Sequence, residues 1–254
     1  MYVAATVSSS SEFDRGDHNP GYNPGYLAFH RPRFEFLLKV VGQEVQGRPR
    51  VLDVGPSPFT AMLRETLGAP VDTLGLEAER PSADAEHDRG HHLRFNLNDA
   101  QYRERWRLDF GRYDLIVFAE VIEHLFTAPE LVLAYLRELL VPGGRLLLQT
   151  PNAASLRKRI KLALGSNPFE RIRLDPSNPG HYREYTAHEL GQILADAGFT
   201  VRKSWSRFYF DARYARHERG TEPPNFLRGT VLNLANRALP PFLREGITIL
   251  AART

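Results

Sequence analysis

Short apolar runs alternate with amphipathic stretches along most of this chain. Val51-Leu52-Asp53-Val54-Gly55 is an apolar run closed by an acid and a glycine, and a helical pattern from Thr60 to Leu67 follows it. Val71 to Glu77 predicts a second strand and His92 to Phe95 a short third. Tyr113-Asp114-Leu115-Ile116-Val117-Phe118-Ala119 is apolar on both faces, as in a strand buried inside a parallel sheet. Arg145 to Thr150, Val201 to Trp205 and Gly246 to Ala252 read as the remaining strands.

The stretches between them have helical character. Phe34, Leu37, Leu38, Val41 and Val45 recur at helical spacing and predict a helix over roughly 30–46. The segment 99–108 is weakly helical. Thr127-Ala128-Pro129-Glu130 has the form of a capping box, opening a helix to about Leu140 that Pro142-Gly143-Gly144 ends. Thr186-Ala187-His188-Glu189 has the same form and opens a helix through Ala197, with Gly198 as its stop. Strands separated by single helices imply an α/β fold with a doubly wound, mostly parallel sheet. Residues 1–30 are rich in Ser, Asn, Gly and Pro, and are expected to form a flexible leader or a lid over ligand. Residues 31–254 are expected to form one domain. Within it, segments 151–185 and 206–240 interrupt the pattern and are candidates to cover a substrate.

The first turn sets the ligand class. A dinucleotide or nucleoside triphosphate site needs backbone N–H groups aimed at phosphate, with glycines to admit the backbone. Here the turn is Gly55-Pro56-Ser57-Pro58, and its two prolines carry no N–H. No Gly-x-Gly-x-x-Gly or phosphate-loop motif occurs in the chain. The pattern suits a nucleoside ligand without a phosphate chain, packed against a stiff turn.

Composition narrows the classes. The 254 residues, 42% of them hydrophobic and 25% charged, suit one large globular domain. No apolar run is long enough to span a membrane and the N-terminus lacks a signal-peptide core, so a cytoplasmic location is expected. The absence of cysteine excludes disulfides, thiolate metal sites and cysteine nucleophiles. A net charge of +3 is only mildly basic and does not indicate nucleic acid. The densest basic run, Arg157-Lys158-Arg159 with Lys161, and Arg171 with Arg173 beyond it, is expected to be a solvated helix face and loop.

Several motifs then fall in one order. Val51-Leu52-Asp53-Val54-Gly55, Leu74-Gly75-Leu76-Glu77, Phe95-Asn96-Leu97-Asn98, Tyr113-Asp114-Leu115-Ile116-Val117 and Leu140-Val141-Pro142-Gly143-Gly144 resemble the successive motifs of class I S-adenosylmethionine-dependent methyltransferases. Glu184-Tyr185-Thr186 through Gly198-Phe199 resembles a C-terminal signature of one large subgroup. The resemblance covers about residues 48–205. It implies a Rossmann-like sheet of seven strands and S-adenosyl-L-methionine as cofactor. Asp53, Gly55 and Pro56 would lie at the cofactor's amino-acid end. Glu77 would accept the ribose hydroxyls, and Asn96 with Leu97 would face the adenine. The prolines after Gly55 depart from the glycines usual in the family.

Glu120-Val121-Ile122-Glu123-His124 follows the fourth strand, where an open α/β sheet places its ligand crevice. If this stretch starts a helical turn, Glu120, Glu123 and His124 share one face. With His181, they could hold a divalent cation such as Mg, a set resembling metal-dependent RNA 2′-O-methyltransferases. The same pattern also resembles metal-free members, in which the acid Glu120 orients cofactor or substrate and His124 or His181 acts as base. The favoured expectation is O-methylation of a sugar (glycan) or small-molecule hydroxyl. The alternatives are RNA methylation and a non-catalytic binding module.

Overall fold

The computed structural model describes residues 24–76, 90–175, 179–215 and 223–254. In chain order these form α1 (Pro24–Glu44), β1 (Val51–Val54), α2 (Pro58–Leu67), β2 (Asp72–Gly75), β3 (His92–Arg94), β4 (Tyr113–Ala119), α3 (Pro129–Glu138), β5 (Leu140–Pro151), α4 (Leu156–Ala163), α5 (Ala187–Asp196), β6 (Phe199–Arg207), α6 (Phe226–Ala238) and β7 (Gly246–Arg253). One sheet of seven strands runs β3-β2-β1-β4-β5-β7-β6. The first five strands pair in parallel, and β7 runs antiparallel to both β5 and β6. Chain order reverses between β1 and β4, which opens a crevice at their carboxyl ends.

Strand side chains alternate between two apolar layers. Val51, Leu115, Val117 and Leu147 pack under α1 and α2, against Phe34, Leu37, Phe59 and Leu63. Leu52, Val54, Ile116, Phe118, Leu146 and Leu148 face the other way, onto Val132, Leu136, Leu190 and Leu194 of α3 and α5. This two-sided burial is why the strands read as continuous apolar runs rather than alternating ones.

The unusual first turn is a helix start. Ser57 is the N-cap of α2, with its side chain accepting from the Phe59 N–H at 3.3 Å, and Thr60 Oγ1 accepts from the Ser57 N–H at 3.0 Å. Pro58 occupies the first helical turn, where a missing N–H costs nothing. Thr60 Oγ1 also donates to Asp53 Oδ2 at 2.6 Å, tying the helix to the end of β1.

Several boundaries differ from the sequence expectation. Helix α1 begins at Pro24 and ends at Glu44, so residues 24–30 join the helix, whereas the pattern predicted roughly 30–46. Periodicity misses that first turn because its contacts are made with a distant segment, Phe29 stacking on Phe210 at 4.8 Å. The Thr186 capping box forms as expected, with Glu189 N–H donating to Thr186 Oγ1 at 3.2 Å. The Thr127 box does not form: the N-cap of α3 is Ala128, with no side-chain cap. The Phe126 and Thr127 N–H groups instead donate to Asn98 Oδ1, at 2.9 and 3.2 Å. Pro142-Gly143-Gly144 lies within β5, and α3 ends before it at Glu138.

Asn98 is therefore a clasp between the turn after β3 and the entrance to α3, and it is buried. Asn98→Ala strands two backbone donors. It is expected to destabilise by about 2–4 kcal/mol, read as a lower urea midpoint at unchanged m value.

Candidate functional site

The site grows from the exit of β4. Glu120 follows that strand with a left-handed backbone, φ 57°, a conformation a non-glycine residue rarely holds. Its N–H donates to the Gln149 carbonyl at 2.8 Å, which extends the β4–β5 pairing. Its carboxylate pairs with Arg33 of α1 at 3.2 Å. The chain then makes a tight helical turn over Ile122–His124. Because Glu120 stands outside that turn, it does not share a helical face with Glu123 and His124. This corrects the expectation of one common face.

Glu123 points inward and is fully buried. Its Oε2 accepts from Thr150 Oγ1 of β5 at 2.8 Å, and its Oε1 has no partner among the described residues. Burial, reinforced by the Glu120 charge, pushes this carboxyl well above the usual range. The Glu123 carbonyl accepts from the Tyr182 N–H at 2.8 Å, which carries the segment around His181 to the site.

His124 and His181 meet edge to face, with ring centroids 4.8 Å apart. His124 Nδ1 lies 3.0 Å from the Gly180 carbonyl, which can only accept, so Nδ1 carries the proton and Nε2 keeps its lone pair. His181 Nδ1 faces Glu184 Oε1 at 3.1 Å, which fixes the same tautomer. Burial lowers His124, and burial with the neighbouring His124 lowers His181 to about 4. Both rings are therefore neutral near pH 7.

Glu184 also pairs with Lys158 of α4, whose ammonium donates to the Asn152 carbonyl at 3.1 Å. Burial pulls Lys158 down to about 8. This corrects the solvated basic face: the neighbours of Lys158 are exposed, but Lys158 turns inward to the site. Arg33, Thr150 and Lys158, which the motifs did not reveal, complete the cluster together with Glu184, the first residue of the C-terminal signature. Thr150 had a signal, as a polar residue closing an apolar strand at the crevice. Lys158 had none, because the basic run makes it indistinguishable from its neighbours.

The expected cofactor-side residues lie around the crevice. Gly55 adopts φ 79°, and a Cβ there would come within 2.8 Å of Val121 Cγ2, so the turn packs directly on the exit of β4. Asp53 is buried against Thr60. Asn96 caps the turn after β3, accepting from the Asn98 N–H at 3.0 Å, and Leu97 is buried behind it. Gly55, Pro56 and Asn96 remain partly exposed. Glu77 lies outside the described residues. One ligand atom each from Glu123, His124 and His181 falls within 4.8 Å of the others, a grouping that does not include Glu120. Among the described residues no helix is long and apolar enough to cross a membrane.

The doubly wound sheet thus carries a crevice at the β1/β4 reversal, a first turn holding two prolines, and a pair of buried histidines after β4 and β5. The sequence profile of the methyltransferase domain family matches residues 28–204, and the chain belongs to that family. A probable S-adenosylmethionine-dependent methyltransferase from Mycolicibacterium smegmatis is 32% identical over 136 residues, which span 54% of this chain and 46% of that protein's length. The chain thus aligns with about half of that curated relative. Among solved structures, an S-adenosylmethionine-dependent methyltransferase from Mesorhizobium loti superposes with a TM-score of 0.54 at 17% identity, over 85% of this chain and 96% of the other. The 1,6-didemethyltoxoflavin-N1-methyltransferase of Burkholderia thailandensis, solved with S-adenosylhomocysteine, gives a TM-score of 0.51 at 20% identity, over 89% of this chain and 78% of the other. At these identities the structures establish the shared fold.

The depressed histidines set an acid limit on stability. An imidazole held neutral in the fold takes up a proton on unfolding at about 6.5, so its contribution is present above 6.5 and is lost as pH falls towards the folded value of about 4. For His181 the loss is about 3 kcal/mol. His30, lowered to about 2 by burial and by Arg33, adds in the same direction. Unfolding free energies of the wild type are expected to fall between about pH 7 and about pH 4, and His181→Gln to reduce that fall by about 3 kcal/mol.

Proposed function

We propose that this chain is an S-adenosylmethionine-dependent O-methyltransferase whose acceptor is a hydroxyl of a sugar or other small molecule. The observation that carries the reading is His124. Its Nδ1–H is committed to the Gly180 carbonyl, its ring is neutral, and its Nε2 lone pair has no partner among the described residues. Aliphatic hydroxyls are weak acids, and their methylation gains most from a base that takes the proton as the new bond forms.

The cofactor side is consistent with this class. Gly55 and Pro56 would face the amino-acid end, with Asp53 and Thr60 fixing their turn. Asn96 and Leu97 would border the adenine, and Glu77 would take the ribose hydroxyls. A turn built from Pro56 and Pro58 offers few amides to a phosphate, and this cofactor has none. When bound, the cofactor supplies an electrophilic methyl group on a sulfonium. The chain's own task is to place the acceptor hydroxyl and remove its proton. His124 Nε2 receives that proton, while His181, oriented by Glu184 and Lys158, hydrogen-bonds the acceptor and serves as a second base. Glu120, held by Arg33, keeps the β4 exit in place.

A second reading rests on one observation, the convergence of Glu123, His124 and His181 within 4.8 Å with Glu123 Oε1 lacking a partner. A cation there would give that oxygen a ligand and act as Lewis acid for the hydroxyl. Two imidazoles and a carboxylate suit a transition-metal ion better than Mg, which prefers oxygen donors.

Two experiments test these readings. Calorimetry is expected to show S-adenosylmethionine binding to the wild type and to a His124→Ala/His181→Ala variant. Methyl transfer by the variant, across a panel of sugar and small-molecule hydroxyls, is expected to fall by roughly 100- to 10,000-fold. No cofactor binding by the wild type would overturn the enzyme reading, and an unchanged variant rate would overturn the base. Chelator is expected to leave the wild-type rate unchanged. Its abolition by chelator and recovery with Mn or Zn would establish the second reading instead.

A further inference from the structure

We propose that α6 and α4 form a surface that docks on an anionic lipid bilayer. A helix on a globular protein normally turns its apolar stripe inward, and α6 does the reverse. Its inner face is small and polar. A Cβ at Gly229 would lie 2.3 Å from the Arg213 Cα, and Asn233 is bonded to Asp211 and to the Ala212 N–H. Leu227, Val231 and Leu234, spaced on one outer face, are turned to solvent, with Leu227 82% and Leu234 60% exposed. Helix α4 lies beside α6, with Ile160 and its C-cap Leu164 exposed. A groove of about 280 Å³ separates the two; it meets α6 at Asn236, on the helix's inner side, and Glu245 is among its lining residues. An apolar area of this kind on one side of a soluble domain marks an interaction surface.

Charge selects the occupant. Neither helix contains an acidic residue, while Arg157, Arg159, Lys161, Arg228 and Arg237 are exposed on them. Exposed leucines beside lysines and arginines are the composition of a helix lying in a lipid headgroup layer. A second copy of this chain is disfavoured, because a twofold contact would bring these cations against each other. Lys158 leaves the same helix inward, towards Glu184, so the docking surface and the candidate site share α4. A hydroxyl carried on a membrane lipid would reach the site from that side. This last step rests on the methyl-transfer reading; bilayer docking does not.

Vesicle co-sedimentation tests the surface without cofactor or acceptor. The protein is expected to sediment with phosphatidylcholine vesicles containing phosphatidylglycerol, less with phosphatidylcholine alone, and less as salt is raised. Leu227→Glu with Leu234→Glu is expected to reduce partitioning roughly 100-fold, since two leucine side chains no longer leave water. Its urea midpoint is expected to be unchanged, because both side chains are exposed. Arg228→Glu with Arg237→Glu is expected to remove the preference for anionic vesicles. Failure of the wild type to sediment with anionic vesicles would overturn the proposal. So would a stable dimer, seen by sedimentation velocity, that the two glutamates dissociate.

Discussion

The left-handed backbone at Glu120 is the constraint on which the site depends. A strand that continued straight would carry Glu123 and His124 away from the crevice. The φ of 57° turns the chain back within one residue, and Glu123 enters the core while His124 meets His181 and the Gly180 carbonyl. Such a conformation costs about 1–3 kcal/mol and persists only where neighbours hold it. Here the neighbours are the Gln149 carbonyl and the Arg33 guanidinium, one from the sheet and one from α1. Arg33 is itself buried, so the ion pair also gives its charge a partner it would otherwise lack.

Desolvation then sets the protonation states. The same low-dielectric surroundings that raise Glu123 lower His124 and His181. A raised carboxyl and two depressed imidazoles stand side by side in one cluster, all three shifted by burial towards their uncharged forms. Its outer edge is charged instead. Glu184 lies between His181 and Lys158 and orients the ring through its Nδ1. The cluster is thus bounded by a fixed cation on the α1 side and another on the α4 side.

The inserted elements share one organisation. Helix α1 supplies Arg33 and buries Phe34 and Leu37 against the sheet. Aromatic side chains join α1 to the segment after β6: Phe29 stacks on Phe210, and Phe36 packs on Tyr209, which bonds Thr248 of β7 at 2.5 Å. Helix α4 turns Lys158 to the site and most of its other side chains outward, and α6 is held through Gly229, Asn233 and Phe226.

The strands, their order of alternation with helices and the phosphate-free first turn were legible in the sequence. Continuous apolar runs such as Leu115 to Phe118 can be buried only between two helical layers, and prolines cannot donate. The Thr186 box was legible because both of its bonds lie within four residues. The Thr127 box has the same local form, yet it does not form: Asn98, far away in sequence, accepts from the Thr127 N–H that Glu130 would have bonded. His124 and His181 could be singled out by residue type, but the His124 tautomer depends on Gly180, which tertiary structure brings to it, whereas Glu184, three residues on, sets that of His181. Arg33 and Lys158 carry no local signal, since a charge gains its role only from the partner that burial places beside it, whereas Thr150 could be marked as a polar residue closing an apolar strand. Local chemistry therefore fixed the elements and the ligand class, whereas long-range burial decided which side chains are neutral, which are paired and which face water.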